Sequence, residues 1–219
     1  MTATSARDGY RLWAPHYSTE TVVSALEDEV VRALGVQTHG ERLLDVGCGT
    51  GRRLQAAGGA MAVGVDLTAE MLRASDASFL SVVASADELP IASAAFTIVW
   101  CRLMIGHVAN GRAVYAELSR VCARGGAVIV SDVSVAATLE GHRRTFRASD
   151  GVLHTLEHHI HTVDAQAAWA REHGMTLVER RTGRIGESVR ALYEDAGAIE
   201  KFHAQREQPL VDVLHFRRE

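Results

Sequence analysis

Three groups of residues in this chain of 219 could do chemistry. The first is Asp45-Val46-Gly47-Cys48-Gly49-Thr50-Gly51, an acid followed by glycines at alternate positions. Glycine is needed where φ is positive or where a ligand must lie against bare backbone. Between an apolar strand and a helix start, such a turn makes a nucleotide-binding crossover. A dinucleotide fingerprint would put its third glycine at position 52, where this chain has Arg52, so the turn is less suited to a pyrophosphate. The second is Asp66, 21 residues after Asp45 and at the end of the apolar run Met61 to Val65. A carboxylate there can accept both ribose hydroxyls of an adenosine; a solvent-facing acid is the plainer alternative. The third is histidine, present eleven times and the natural general base near neutral pH. His107 follows an apolar run, whereas His154, His158, His159 and His161 cluster. In a helix His154 and His158 would share a face, and in a strand His159 and His161 would. No carboxylate–histidine motif of metal-ligand spacing surrounds them, so no metal is expected.

The elements that must position these groups alternate along the chain. Leu43 to Val46, Met61 to Val65, Phe79 to Val83, Phe96 to Cys101 and Gly126 to Ser131 are continuous apolar runs. Helical patterns at Arg52 to Ala57, Thr68 to Ala74 and Arg112 to Cys122 separate some of them. Continuous runs joined by helices predict a parallel sheet covered on both faces, hence an α/β fold. Before the first strand, Val22, Val23, Leu26, Val30, Ala33 and Leu34 recur at helical spacing, predicting a covering helix from Ser18 to Leu34 that stops at Gly35. Residues 1–9 are small and polar and are expected to lack fixed structure. Residues 132–161 break the rhythm with the basic pair Arg143-Arg144 and no clear apolar period. Thr162 to His173 reads as a helix, Met175 to Glu179 as a strand, Glu187 to about Gln205 as a helical insertion, and Pro209 to Phe216 as the last strand.

In order along the chain, several motifs resemble those of Rossmann-like S-adenosylmethionine-dependent methyltransferases. They are the glycine stretch, Val65-Asp66-Leu67, Ala84-Ser85-Ala86-Asp87-Glu88-Leu89-Pro90, and Glu117 to Gly126 before the fifth strand. Tyr10-x-x-x-Ala14-x-x-Tyr17 is similar to a stretch of the ubiquinone and menaquinone pathway methyltransferases that closes over the cofactor. Two departures, Thr97 where relatives usually have aspartate and Arg124 where they have proline, fall on structural positions. The resemblance implies a seven-stranded, mostly parallel sheet whose last strand is antiparallel, with S-adenosylmethionine as cofactor. It implies cofactor contacts at Tyr17, Asp45, Gly47, Cys48, Gly49, Thr50, Gly51, Asp66, Leu67, Ala86, Asp87, Glu88 and Cys101, with Asp45 near the methionine ammonium and an acid near the adenine amino group. His107 would face the reaction centre, as a base or merely for packing. Tyr10, Arg102, His159 and His161 would border the substrate, although Arg102 could equally reach solvent and the histidines could sit on a surface loop. Residues 1–34 would form an arm and covering helix, and 35–219 the catalytic domain, with substrate-side insertions at about 132–161 and 186–206.

Composition bounds the acceptor. Acids outnumber bases 27 to 23, giving a net charge of −4, which disfavours nucleic acid and anionic membranes. Aromatics at 5% offer no obvious platform for stacking single-stranded bases. Motifs of DNA and arginine methyltransferases are absent, so the expected partner is a small molecule, with a homodimer left open. Cys48, Cys101 and Cys122 form no C-x-x-C pair, which fits a reducing cytoplasm. The N-terminus does not read as a signal peptide. The expected activity is methyl transfer to oxygen, nitrogen or carbon. The rivals are a protein that binds S-adenosylmethionine without transferring methyl and a nicotinamide-dependent reductase.

Overall fold

Strands of valine, leucine and isoleucine that hide both faces must stack side by side between helices. The computed structural model describes residues 3–17, 20–75, 79–149 and 151–219. In it the strands are β1 Arg42–Val46, β2 Met61–Asp66, β3 Leu80–Val83, β4 Phe96–Arg102, β5 Cys122–Val133, β6 Thr145–Arg147, β7 Leu153–Thr155, β8 Met175–Arg184 and β9 Pro209–Arg218. The helices are α1 Ala6–Trp13, α2 Val22–Ala33, α3 Arg52–Ala57, α4 Ala69–Arg73, α5 Gly111–Val121, α6 Val135–Leu139, α7 Val163–Glu172, α8 Arg190–Asp195 and α9 Ile199–Gln205. Seven strands form one sheet in the order β3-β2-β1-β4-β5-β9-β8. Pairing is parallel from β3 to β5, and β9 runs antiparallel to both β5 and β8. The expected α/β architecture with an antiparallel last strand is what the chain adopts.

The order reverses between β1 and β4, and a ligand crevice opens beyond the carboxyl ends of strands at such a switch point. Leu43, Leu44 and Val46 of β1 are fully buried, as are Val99 and Cys101 of β4. One core face joins β1, β4 and β5 to Tyr115, Leu118 and Val121 of α5 and Ala170 of α7. On the other, α2 contributes Leu26 against Val133, Ile185, Phe202 and Val211. A capping box between Thr21 and Ser24 starts α2, and Asn110 and Thr162 cap α5 and α7.

Several local expectations change. Residues 6–13 are helical, because the Ser5 hydroxyl accepts from the Asp8 amide and starts α1. The covering helix begins at Val22; residues 18 and 19 of the expected span lie outside the described residues. The insertion at 187–205 is two helices after a short 3₁₀ turn, broken where Gly197 takes φ +64°. Residues 132–161 hold α6 and the antiparallel pair β6–β7, in which Phe146 faces His154. His154 therefore lies on a strand, sharing no helical face with His158. Beyond β7 a parallel bridge joins Thr4 to Leu156. Among the described residues no helix is long and apolar enough to cross a membrane.

Candidate active site

The turn after β1 is shaped by backbone that only glycine tolerates well. Gly47 has φ +79°, and a Cβ there would collide with Met104. Gly51 has φ +70°, and its Cβ would strike the Phe79 ring. Folded this way, the turn sends the Gly47 and Cys48 amides to the Val65 carbonyl at 2.7 and 3.0 Å. The Gly49 amide donates to Asp66 Oδ2 at 2.8 Å, and the Thr68 amide donates to Oδ1 at 2.9 Å. Asp66 is thus clamped at the end of β2, with further lone pairs on both oxygens. Burial raises its pKa against the pull of those two amides.

These residues line one large cavity of about 590 Å³, within the roughly 300–1,000 Å³ usual for small-molecule sites. Its floor is Gly47 to Thr50, Asp66, Leu67 and Ala84 to Ala86. Leu103, Met104 and His107, just beyond β4, form one wall, and Tyr10, Trp13 and Tyr17 cover it. Tyr10 stacks on Trp13 with centroids 5.7 Å apart, and Trp13 stacks on Phe146 at 5.1 Å, joining α1 to β6. Of the residues singled out from sequence, Tyr10, Tyr17, Gly47, Cys48, Gly49, Thr50, Asp66, Leu67, Ala86, Arg102 and His107 meet in this cavity.

Others do not line it. Cys101 is fully buried within the sheet core. Gly51 is turned toward Phe79. Asp87 accepts from the Ser85 hydroxyl and is exposed, as is Glu88. The segment carrying His159 and His161 runs behind the cavity, because the His159 amide donates to the Gly106 carbonyl at 2.7 Å. From there His159 reaches toward Glu157 at 3.9 Å, and His161 meets the Val108 carbonyl at 2.8 Å and the Trp169 ring. Both expected pocket histidines are thereby corrected to positions outside it.

Asp45 does not itself line the cavity, although Val46 and Gly47 after it do; it is only 2% exposed, and among the described residues its Oδ1 has no hydrogen-bond partner. Burial raises its carboxyl to about 6, even though Arg53 and Arg102 favour the charged form. A buried oxygen without a donor is costly, so this position suits a cationic donor. The clamped Asp66, the bare glycine backbone and this oxygen together fit an adenosyl amino acid such as S-adenosylmethionine. Among the described residues no cluster of metal-ligating side chains occurs.

Arg102 touches the cavity, but its guanidinium is already committed. It donates to both oxygens of the fully buried Glu27, at 2.9 and 2.7 Å, and also to Asp28. Arg53 donates to Asp28 at 3.0 Å and to Glu27 at 3.2 Å, and the Ser131 hydroxyl donates to Glu27 at 2.6 Å. The expectation of a guanidinium open to a substrate carboxylate is corrected accordingly. Sequence reasoning missed Glu27 because it sits in a helix whose polar residues look solvent-facing.

His107 is equally engaged. Its Nδ1–H donates to the Glu157 carbonyl at 3.3 Å, so Nε2 accepts, from Tyr10 Oη–H at 3.0 Å and Arg144 Nη1–H at 2.8 Å. Burial foremost, then Arg144, pushes its pKa down to about 3. Arg144 also pairs with Asp132, which His158 approaches at 3.3 Å. Burial alone would raise Asp132, yet Arg144 and His158 outweigh it and hold the carboxyl at about 2. The only sequence sign of Arg144 was the basic pair at 143–144.

Comparison with known proteins accords with this geometry. Residues 44–130 match a family described as a methyltransferase domain. A 27-O-demethylrifamycin SV methyltransferase of Amycolatopsis mediterranei is 28% identical, the match covering 89% of this chain and 74% of the relative. The chain is an S-adenosylmethionine-dependent methyltransferase. The chain is also 30% identical to a malonyl-[acyl-carrier protein] O-methyltransferase of Enterobacter lignolyticus, over 63% of its own length but only 56% of the relative's. Its fold is shared by an S-adenosylmethionine-dependent methyltransferase structure from Mesorhizobium loti, at TM-score 0.68 and 17% identity, covering 88% and 98% of the two chains. Its reaction is methyl transfer from S-adenosylmethionine to a small-molecule acceptor.

Proposed function

We propose that the enzyme methylates an oxygen of a small organic acceptor by in-line displacement, in the cavity between the glycine turn and α1. Asp66 carries this reading: clamped by the Gly49 and Thr68 amides, it can receive the ribose hydroxyls and fix the adenosyl end. The backbone from Gly47 to Thr50 lies along the methionine end, with Asp45 beneath the ammonium, and Ala86 borders the adenine. When bound, S-adenosylmethionine supplies a methyl carbon already activated by positive sulfur. The protein's task is then to align the acceptor and exclude water. Tyr10, Trp13, Tyr17 and Met104 do the excluding. His107 is a positioning residue: its one lone pair is occupied, and at about 3 its pKa is too low for an effective base at neutral pH. Oxygen as the acceptor atom is supported by the curated O-methyltransferase relative.

The division into an arm at 1–34 and a catalytic domain at 35–219, with acceptor-side insertions at about 132–161 and 186–206, belongs to this reading. So do a reducing cytoplasmic setting, suggested by three free cysteines, and no role for nucleic acid. Titration calorimetry with S-adenosylhomocysteine and NADH, followed by transfer of labelled methyl to a panel of hydroxy acids, carboxylic acids, amines and enolisable ketones, tests it. Binding of the adenosyl ligand and label in an ester or ether are expected. Binding of NADH alone, or label only on nitrogen or carbon, overturns the respective part.

A further inference from the structure

Beyond His107 the cavity wall is built from the loop after α6 and from α9, and there its charge changes. Arg52, Arg53, Arg102 and Arg144, which also line the cavity, are matched by Glu20, Glu27, Asp28 and Asp132. Arg7, Arg143 and Lys201 line it too, yet among the described residues they form no salt bridge. Among the described residues the one carboxylate lining this part is Glu140, leaving an excess of positive charge in a chain whose net charge is −4. Arg143 is not simply loose. Its Nη1 donates to the Thr138 carbonyl at 3.1 Å and the His142 carbonyl at 2.9 Å, which holds one edge of the fork. Its Nε and Nη2 have no protein acceptor among the described residues.

We propose that the acceptor is an organic anion whose carboxylate or phosphate is held by Arg143 and Lys201 beside His142, at the outer end of the cavity. This rests on the methyl-transfer reading and names the acceptor's chemical class. His142 reports the convergence of charge independently of the lining: burial first, then Arg144, Lys201, His158 and Arg143, lower its pKa. A neutral imidazole can still donate one N–H to an anion. Inside a partly enclosed cavity, uncompensated cations draw anions in and hold them more strongly than on open surface. The half-buried Tyr10 and Trp13 line the same cavity as the exposed Arg143 and Lys201, so an apolar or aromatic body would bridge the anionic handle and the reacting oxygen.

The test uses the full chain saturated with S-adenosylhomocysteine and three probes: 4-phenylbutyrate, phenyl phosphate and the uncharged 4-phenylbutanamide. Calorimetry at low salt should show at least one anion binding about tenfold or more tighter than the amide, as charge-assisted hydrogen bonds imply. R143Q/K201Q should abolish that preference while leaving affinity for S-adenosylhomocysteine and for the amide unchanged. In the wild type, the bound anion should also raise the midpoint of the His142 imidazole titration followed by NMR. Tighter phenyl phosphate assigns the handle to a phosphate and tighter 4-phenylbutyrate to a carboxylate, and either supports the proposal. Equal binding of acid and amide, no binding by either anion, or a preference that survives in the double variant overturns it. Failure of S-adenosylhomocysteine itself to bind would strike the methyl-transfer reading instead.

Discussion

Glu27→Gln puts the acid–base lattice beneath the cofactor floor to the test. Glu27 is fully buried and Arg102 is 5% exposed, and the two make paired hydrogen bonds at 2.9 and 2.7 Å. Two unit charges about 4 Å apart at an effective dielectric near 20 attract by about 4 kcal/mol. Breaking a buried pair by removing one partner costs about 3–5 kcal/mol, because the other charge is left without its counter-ion. Asp28 still meets Arg102, so the lower end of that range is expected. For a chain of this size each kcal/mol moves the melting temperature by roughly 2–4 °C, predicting a fall of roughly 6–12 °C by calorimetric scan. Glu27→Leu combined with Arg102→Met, which removes both charges and keeps bulk, should recover most of that loss. A single variant melting within about 2 °C of wild type would refute the reasoning, since it would mean the pair is solvated and not locked in the interior. The same substitution removes a negative charge that raises the Asp45 pKa, so the pH midpoint for cofactor binding should move down.

Three further outcomes are expected. Asp66→Ala should weaken S-adenosylhomocysteine by roughly 10- to 100-fold in calorimetry, the scale of lost hydrogen bonds to a charged group; unchanged affinity would remove Asp66 from the site. His107→Gln should keep the shape of the rate–pH profile between about pH 6 and pH 9 and lower kcat by less than the roughly 100-fold expected on losing a general base, whereas loss of a limb near neutral pH would make His107 a base. Asp45, raised to about 6, must shed its proton before it can face an ammonium. Affinity for S-adenosylhomocysteine should therefore fall about tenfold from about pH 7 to about pH 5. The ligand-free chain responds in the opposite sense. Unfolded aspartate binds its proton only near pH 4, so this group adds stability as pH falls from about 6 to about 4, seen in urea melts at several pH values. A flat affinity across that range would place Asp45 away from the ammonium.

The parallel half of the sheet was legible because its central strands β1 and β4 are buried on both faces, so that their apolar runs are unbroken and the glycine turn falls where β1 must end, while the exposed edge strand β3 still carries an apolar run. Asp66 was legible for the same reason, lying at the end of such a run. What escaped depended on contacts between distant segments. Arg102 looked free because its partner Glu27 lies 75 residues earlier, and no local pattern marks a buried carboxylate. His159 and His161 looked pocket-facing because the hairpin β6–β7, made of two three-residue strands, leaves no periodic signature from which to count faces. The helix α1 escaped because its start rests on one hydroxyl cap and its packing comes from Phe146 and Leu156, far along the chain.

That last pairing has a consequence for how the site comes into being. The cover over the cavity is stitched to residues 145–156 through Trp13 on Phe146 and through the Thr4–Leu156 bridge. Contacts so distant along the chain form late, since loop closure must precede their reward. On a ribosome the N-terminal segment waits, uncovered and aromatic, until the hairpin has been made, while β1 to β5 can already pair. Cofactor binding and acceptor enclosure are thus separable in time: a nascent chain able to hold the first would still lack the roof needed for the second.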